Sequence, residues 1–166
     1  SLVRRIVEEG LAAGRVDLLA ENQELNGSLA AALLAPTRIY VKAILNLVRD
    51  FDVKGLVHVT GGGFSGNVPR ILPKGVCARV DLGAWPRPPI FDWLQRAAEL
   101  PDTEMLRVFN CGIGMIAIVP AQQSDDVLER LQGLGERAYR IGAVERRKPD
   151  EPDDSSIRFV RVRRTG

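Results

Sequence analysis

The sequence has 166 residues, 45% hydrophobic and 27% charged, with a net charge of +2. That length fits one domain with a sizeable core, and the composition is that of a soluble globular protein. The near-balance of charge gives no electrostatic footprint for nucleic acid or an anionic membrane, and no apolar run approaches transmembrane length. Cys77 and Cys111 lack metal-ligand spacing, which points to a reduced, cytosolic setting. The chain moves from Ser1 straight into SLVRRIVEEGL without a leader, so it is expected to be a piece of a longer protein cut near a domain boundary.

In chain order, Leu2, Ile6 and Leu11 predict a helix over residues 1–13, ending near Gly14. Residues 15–27 are polar, with a turn signal at Asn26-Gly27. Ser28 is placed to cap the run LAAALLA, which must stop before Pro36. TRIYV reads as a short extended segment leading into the amphipathic helix KAILNLVRDF. Next come the strand LVHVT, a glycine loop, a short helix over NVPRIL, and the alternating strand VCARVDL. PIFDWLQRAAEL reads as a helix with Phe91, Leu94 and Ala98 on one side. GIGMIAIVP has the continuous apolarity of a central strand covered on both faces. DDVLERLQGL is a helix closed by Gly135, RAYRIGAVE a strand, EPDD a polar turn and IRFVRVR a final strand. In that strand Val160 and Val162 face opposite to Arg161 and Arg163, and the segment around Asp150–Asp154 and the C-terminal residues are expected to be weakly ordered. The intermixed elements predict an α/β fold of mixed α+β type, with a mixed sheet packed between helices in layers.

VHVTGGGFSGNVPRILP concentrates the chemistry. A strand running through glycines into a helix is the general recipe for an anion site, because glycine lets the backbone approach and a helix start presents unpaired amides. Thr60, Gly61, Gly62, Gly63, Asn67 and Arg70 make a candidate cradle for phosphate or polar substrate. There is no Gly-Lys-Ser/Thr ending and no dinucleotide spacing, so a structural turn needing positive φ stays open beside it. His58, the only histidine, alternates away from Val57 and Val59. It reads either as a proton-handling group or as a hydrogen-bonded core histidine, and without a partner at ligand spacing it is not assigned to metal. Thr37, Arg38, Tyr40 and Lys42 cluster after Pro36 as a groove lining or an edge strand. Asn110 reads as a turn former or a ligand, while Asp125 and Asp126 suit a helix start without further function.

Taken together, SLVRRI, LLAPTRIYVK, HVTGGGFSGNVPRILP, WPRPPIFDWLQ and MLRVFNCGIGMIAIVP resemble the C-terminal domain of one family. It is aminoimidazole ribonucleotide synthetase, also called phosphoribosylformylglycinamidine cyclo-ligase. The segments keep the family's order over most of residues 1–145. The resemblance implies that residues 1–166 are the C-terminal domain of a cytoplasmic ligase of purine biosynthesis, its N-terminal domain lying outside this chain. It implies a three-layer α/β/α unit with partial ferredoxin-like topology, and a homodimeric parent enzyme. That enzyme would use ATP, with Mg²⁺ bound largely through the N-terminal domain, to cyclise formylglycinamidine ribonucleotide in a groove between the domains. His58 would be catalytic. Thr60 to Gly63, Asn67, Arg70, Thr37, Arg38, Lys42 and Asn110 would contact substrate or phosphate, with no metal ligand in this chain.

One departure marks this sequence: Gly66 stands where the family carries a carboxylate before the asparagine. It keeps open a non-catalytic binding or assembly module on the same scaffold, beside another member of the ATP-dependent superfamily. Cys111 has no neighbour suited to activate it as a nucleophile. The isolated 166 residues are expected to show no turnover.

Overall fold

A computed structural model describes residues 1–147 and 156–162. Helix α1 (Leu2–Ala12) is capped by Ser1, whose hydroxyl accepts a hydrogen bond from the Arg4 amide at 3.4 Å. A small hairpin follows, in which β1 (Glu21–Asn22) pairs antiparallel with β2 (Gly27–Ser28). Asn26 supplies its turn at φ 52°. The Ser28 hydroxyl then caps α2 (Leu29–Leu33), 3.2 Å from the Ala31 amide.

Residues 35–40 hold no regular structure, so the extended segment expected at TRIYV is not a strand. Among the described residues no strand pairs with it, and Arg38 and Tyr40 make its side-chain contacts to the rest of the domain. Helix α3 (Val41–Asp50) buries Ala43 and Leu47. On its outer side Val41, Leu45 and Val48 recur at helical spacing and are 62%, 62% and 46% exposed.

Strand β3 (Gly55–His58) leads through the glycine loop into α4 (Gly63–Asn67) and a 3-10 turn over Val68–Ile71. The helix therefore starts four residues ahead of the NVPRIL segment, because the chain turns already at Gly62. Strand β4 (Val76–Asp81) is followed by α5 (Pro89–Ala97) and by α6 (Asp102–Val108), a helix the hydrophobic pattern does not announce. The remaining elements are β5 (Met115–Ile118), α7 (Ser124–Gly133), β6 (Gly142–Arg146) and β7 (Ile157–Val160).

β3 and β5 pair antiparallel from Gly55↔Ile118 to His58↔Met115. In the other sheet β4 is central, antiparallel to β6 and parallel to β7. The domain is thus of the α+β class with mixed pairing. GIGMIAIVP is not the doubly covered central strand it was expected to be. Only Met115–Ile118 is extended, half-buried throughout and in a two-stranded sheet. The residues ahead of it are consumed by a turn. Its apolar side chains help line a cavity of about 470 Å³, shared with α3, α7, β4 and β6. Arg130 of α7 links the two helices, donating to Asn46 at 2.8 Å and pairing with Asp50. RAYRIGAVE yields a strand only from Gly142, and β7 stops at Val160. The EPDD turn, the acidic segment and Arg163 lie outside the described residues.

The core gathers on Phe64, which is fully buried directly after the glycines. Its ring stacks on Trp85 at 5.7 Å and meets Phe159 edge-on at 6.2 Å. Such pairs add to the large apolar area each ring removes from water. The loop is thereby held to the core at its C-terminal end.

Candidate functional site

Leaving β3, Val57 and Val59 are buried while His58 and Thr60 are exposed on the opposite side. The core-histidine reading of His58 is therefore excluded. The chain then turns, with the Gly63 amide donating to the Thr60 carbonyl at 3.0 Å. Gly62, at φ 95° and ψ −2°, occupies the position of a type II turn that favours glycine. Gly63 has a φ of 55°, and a Cβ there would lie 2.2 Å from the Leu106 carbonyl oxygen of α6. Both glycines thus have internal reasons. Gly61 has none: its φ is ordinary and a Cβ would meet nothing within 4 Å.

Asn67 is buried, and its amide nitrogen reaches back to the carbonyls of Gly63 at 2.8 Å, Gly61 at 3.3 Å and Thr60 at 3.4 Å. It clamps the loop from beneath. Gly66 lies inside α4 with its amide on the Gly62 carbonyl at 2.7 Å, so it is not a helix cap, and a Cβ there also meets nothing within 4 Å. Arg70 stands exposed on the following 3-10 turn.

The Asn110–Gly114 segment comes to the same end of the β3–β5 sheet, where the Val59 amide donates to the Gly114 carbonyl at 2.9 Å. Asn110 turns inward: its side-chain oxygen accepts from the Gly112 amide at 3.0 Å and its carbonyl from the Ile113 amide at 2.9 Å. Cys111 and Gly112 between them have φ of 47° and 101°, the double positive φ of a type I′ turn. The Trp85 indole donates to the Cys111 carbonyl at 2.9 Å and closes the turn from behind. Burial pushes the Cys111 thiol up to about 11, so it stays protonated and inert at neutral pH.

Residues 37–42 divide. Arg38 turns toward the segment after α7, pairing with Glu136 at 3.0 Å and donating to the Gly135 carbonyl at 3.3 Å. Thr37 and Lys42 are exposed. Tyr40 approaches His58, ring centroids 6.0 Å apart at 71°. Burial raises its phenol pKa, partly offset by Arg38, and Glu136 adds to the rise. The structure thus joins the glycine loop, the Asn110 turn and Tyr40, and sends Arg38 elsewhere. Sequence reasoning missed that Asn67 and Trp85 hold the two turns, since a side chain that reaches a distant carbonyl leaves no spacing signal. Among the described residues no group of three or more His, Cys, Asp or Glu could hold a metal ion, and no helix is long and apolar enough to cross a membrane.

The family described as AIR synthase related protein, C-terminal domain, matches residues 6–154. The chain belongs to that family. Among curated relatives, the chain is 47% identical over 160 residues to the phosphoribosylformylglycinamidine cyclo-ligase of Oleidesulfovibrio alaskensis, covering 96% of this chain and 44% of that one. It is 49% identical over 149 residues to the protein of that name from Geobacter sulfurreducens, with 90% and 42% covered. For Burkholderia mallei the figures are 50% over 144 residues, with 87% and 39% covered. The chain therefore spans less than half the length of these relatives.

Proposed function

We propose that this chain is the C-terminal domain of an ATP-dependent cyclo-ligase that converts formylglycinamidine ribonucleotide to aminoimidazole ribonucleotide, and that it forms one wall of the active-site groove. The observation that carries the reading is Gly61. It is a glycine without a conformational or packing need, exposed directly after Thr60 on a loop held from beneath by Asn67. A missing side chain at such a place leaves room for a ligand to approach the backbone. The matches to cyclo-ligases over most of this chain support the reaction class.

In that reaction the amide oxygen of the ribonucleotide takes the γ-phosphoryl group of ATP, and an internal nitrogen closes the imidazole ring as phosphate leaves. The chain's own residues bind and orient. The Gly61 backbone and the Thr60 hydroxyl meet ligand oxygens, with Arg70 and Lys42 supplying positive charge at the rim. His58 holds or moves a proton at its imidazole nitrogen as the ring nitrogen loses one. Asn67, Asn110 and Arg38 fix the backbone around them. Thr37 borders the groove. Mg²⁺ and most of the nucleotide are assigned to the rest of a homodimeric, cytoplasmic enzyme, so the 166 residues alone have no turnover.

Grafting the chain in place of the matching segment of the Oleidesulfovibrio alaskensis relative tests this. The chimera is expected to cyclise formylglycinamidine ribonucleotide with ATP. Gly61→Val is expected to lower kcat/KM by about tenfold or more, about 1.4 kcal/mol of transition-state binding, with unchanged thermal stability. A folded chimera without turnover, or full activity in Gly61→Val, overturns the reading.

A further inference from the structure

We propose that Tyr40 is the positioning residue for His58, and that the absence of a side chain at Gly114 is what admits its phenol. His58 is the last residue of β3 and its imidazole is exposed, so strand packing leaves its rotamer undetermined. Tyr40 supplies the missing wall. Its ring meets the imidazole edge-to-face at 6.0 Å, within the range where aromatic pairs favour that arrangement.

The phenol in turn has a built seat. A Cβ on Gly114 would stand 2.0 Å from the Tyr40 hydroxyl oxygen and 2.9 Å from Cζ, so no side chain fits there while Tyr40 keeps its place. Gly114 itself is fixed by the hydrogen bond from Val59, the residue after His58, to its carbonyl at 2.9 Å. The backbone of Tyr40 is fixed as well, its carbonyl accepting from the Ile44 amide at 3.0 Å as α3 begins. Two residues before it, Arg38 is anchored to Glu136 and Gly135. Three distant parts of the chain therefore converge beside one exposed imidazole. Its catalytic consequence rests on the reading of His58 given above; the geometry does not.

His58 is the only histidine, so its imidazole signals in a carbon–proton correlation spectrum of the 166-residue chain are assigned without ambiguity. They are expected to be displaced by the ring current of Tyr40. Tyr40→Phe keeps that displacement, and Tyr40→Leu removes it while the remaining spectrum holds. Gly114→Ala should reproduce the Tyr40→Leu signals although both aromatic rings remain, and adding Tyr40→Phe, which removes the nearest clashing atom, should restore part of the displacement. His58 signals in Tyr40→Leu that overlay the wild type overturn the proposal. The Phe and Leu variants decide it even where Gly114→Ala does not fold. In the active chimera, Tyr40→Leu should lower kcat more than it changes KM, and Tyr40→Phe should not. An NMR change without that loss would confirm the seat and count against a catalytic His58.

Discussion

Two glycine-bearing turns stand at one end of the β3–β5 sheet, and they use glycine differently. In the Asn110–Gly114 turn the special positions answer to internal demands. Gly112 has a φ of 101° and a Cβ there would lie 2.5 Å from Pro88, while Gly114 faces the Tyr40 hydroxyl. Even Cys111 accepts a φ of 47° to complete the turn. In the Thr60–Gly63 loop the same accounting satisfies Gly62 and Gly63 and leaves Gly61 over. A run of glycines is thus no measure of a binding site; the one that the fold does not use is the informative one.

The largest expected effect tests whether Gly63 belongs with the internally required glycines. Gly63→Ala sets a Cβ against the Leu106 carbonyl at left-handed φ. It should destabilise the domain by more than about 3 kcal/mol in denaturant unfolding, and a small shift in midpoint would dissolve the distinction between Gly63 and Gly61.

The other turn is probed by pH. The folded-state pKa of the Cys111 thiol is raised by burial from 9.0 to about 11, so its contribution is fully present below pH 9 and lost as pH rises through about 11. The loss is about 2–3 kcal/mol, read as the difference in alkaline melting between wild type and Cys111→Ala. Parallel profiles for the two proteins would show that the turn opens to solvent more readily than its burial indicates.

Asn67→Ala returns to the first loop, withdrawing the donor from the Gly61 and Gly63 carbonyls, and should cost about 2 kcal/mol in thermal or chemical unfolding. A neutral result would mean the loop keeps its shape without its clamp. The smallest effect has the opposite sign. Gly66→Ala adds a Cβ into open space at ordinary helical backbone, and should stabilise α4 by about 0.5–1 kcal/mol. Destabilisation there would mean that Gly66 answers to packing after all.

The sequence made the amphipathic helices α1, α3, α5 and α7 legible because each repeats its apolar positions at helical spacing over several turns. Helix α6 escaped because its two buried residues, Met105 and Leu106, are adjacent and set no period. The β1–β2 hairpin escaped because strands of two residues cannot alternate. GIGMIAIVP misled for a different reason: an apolar run reports that side chains avoid water, not how many strands flank them. At the candidate site, the motifs singled out segments that the structure brings to one end of the β3–β5 sheet, while their division of labour required coordinates. Whether Asn67 faces a ligand or three carbonyls depends on how tightly the loop closes, and no spacing encodes that.

The close approach of Gly63 to α6 also gives the loop an electrical direction. The carbonyl of Leu106, which a Cβ on Gly63 would touch, belongs to the last turn of that helix, and that of Phe109 follows immediately. A helix ends in partial negative charge, so one side of the glycine loop sits against a weak fixed anion. Gly63 and Leu106 are both buried, so that side is closed by packing as well, while Gly61 is exposed. The loop therefore has a front and a back in charge as well as in shape, and the end of a seven-residue helix sets which is which.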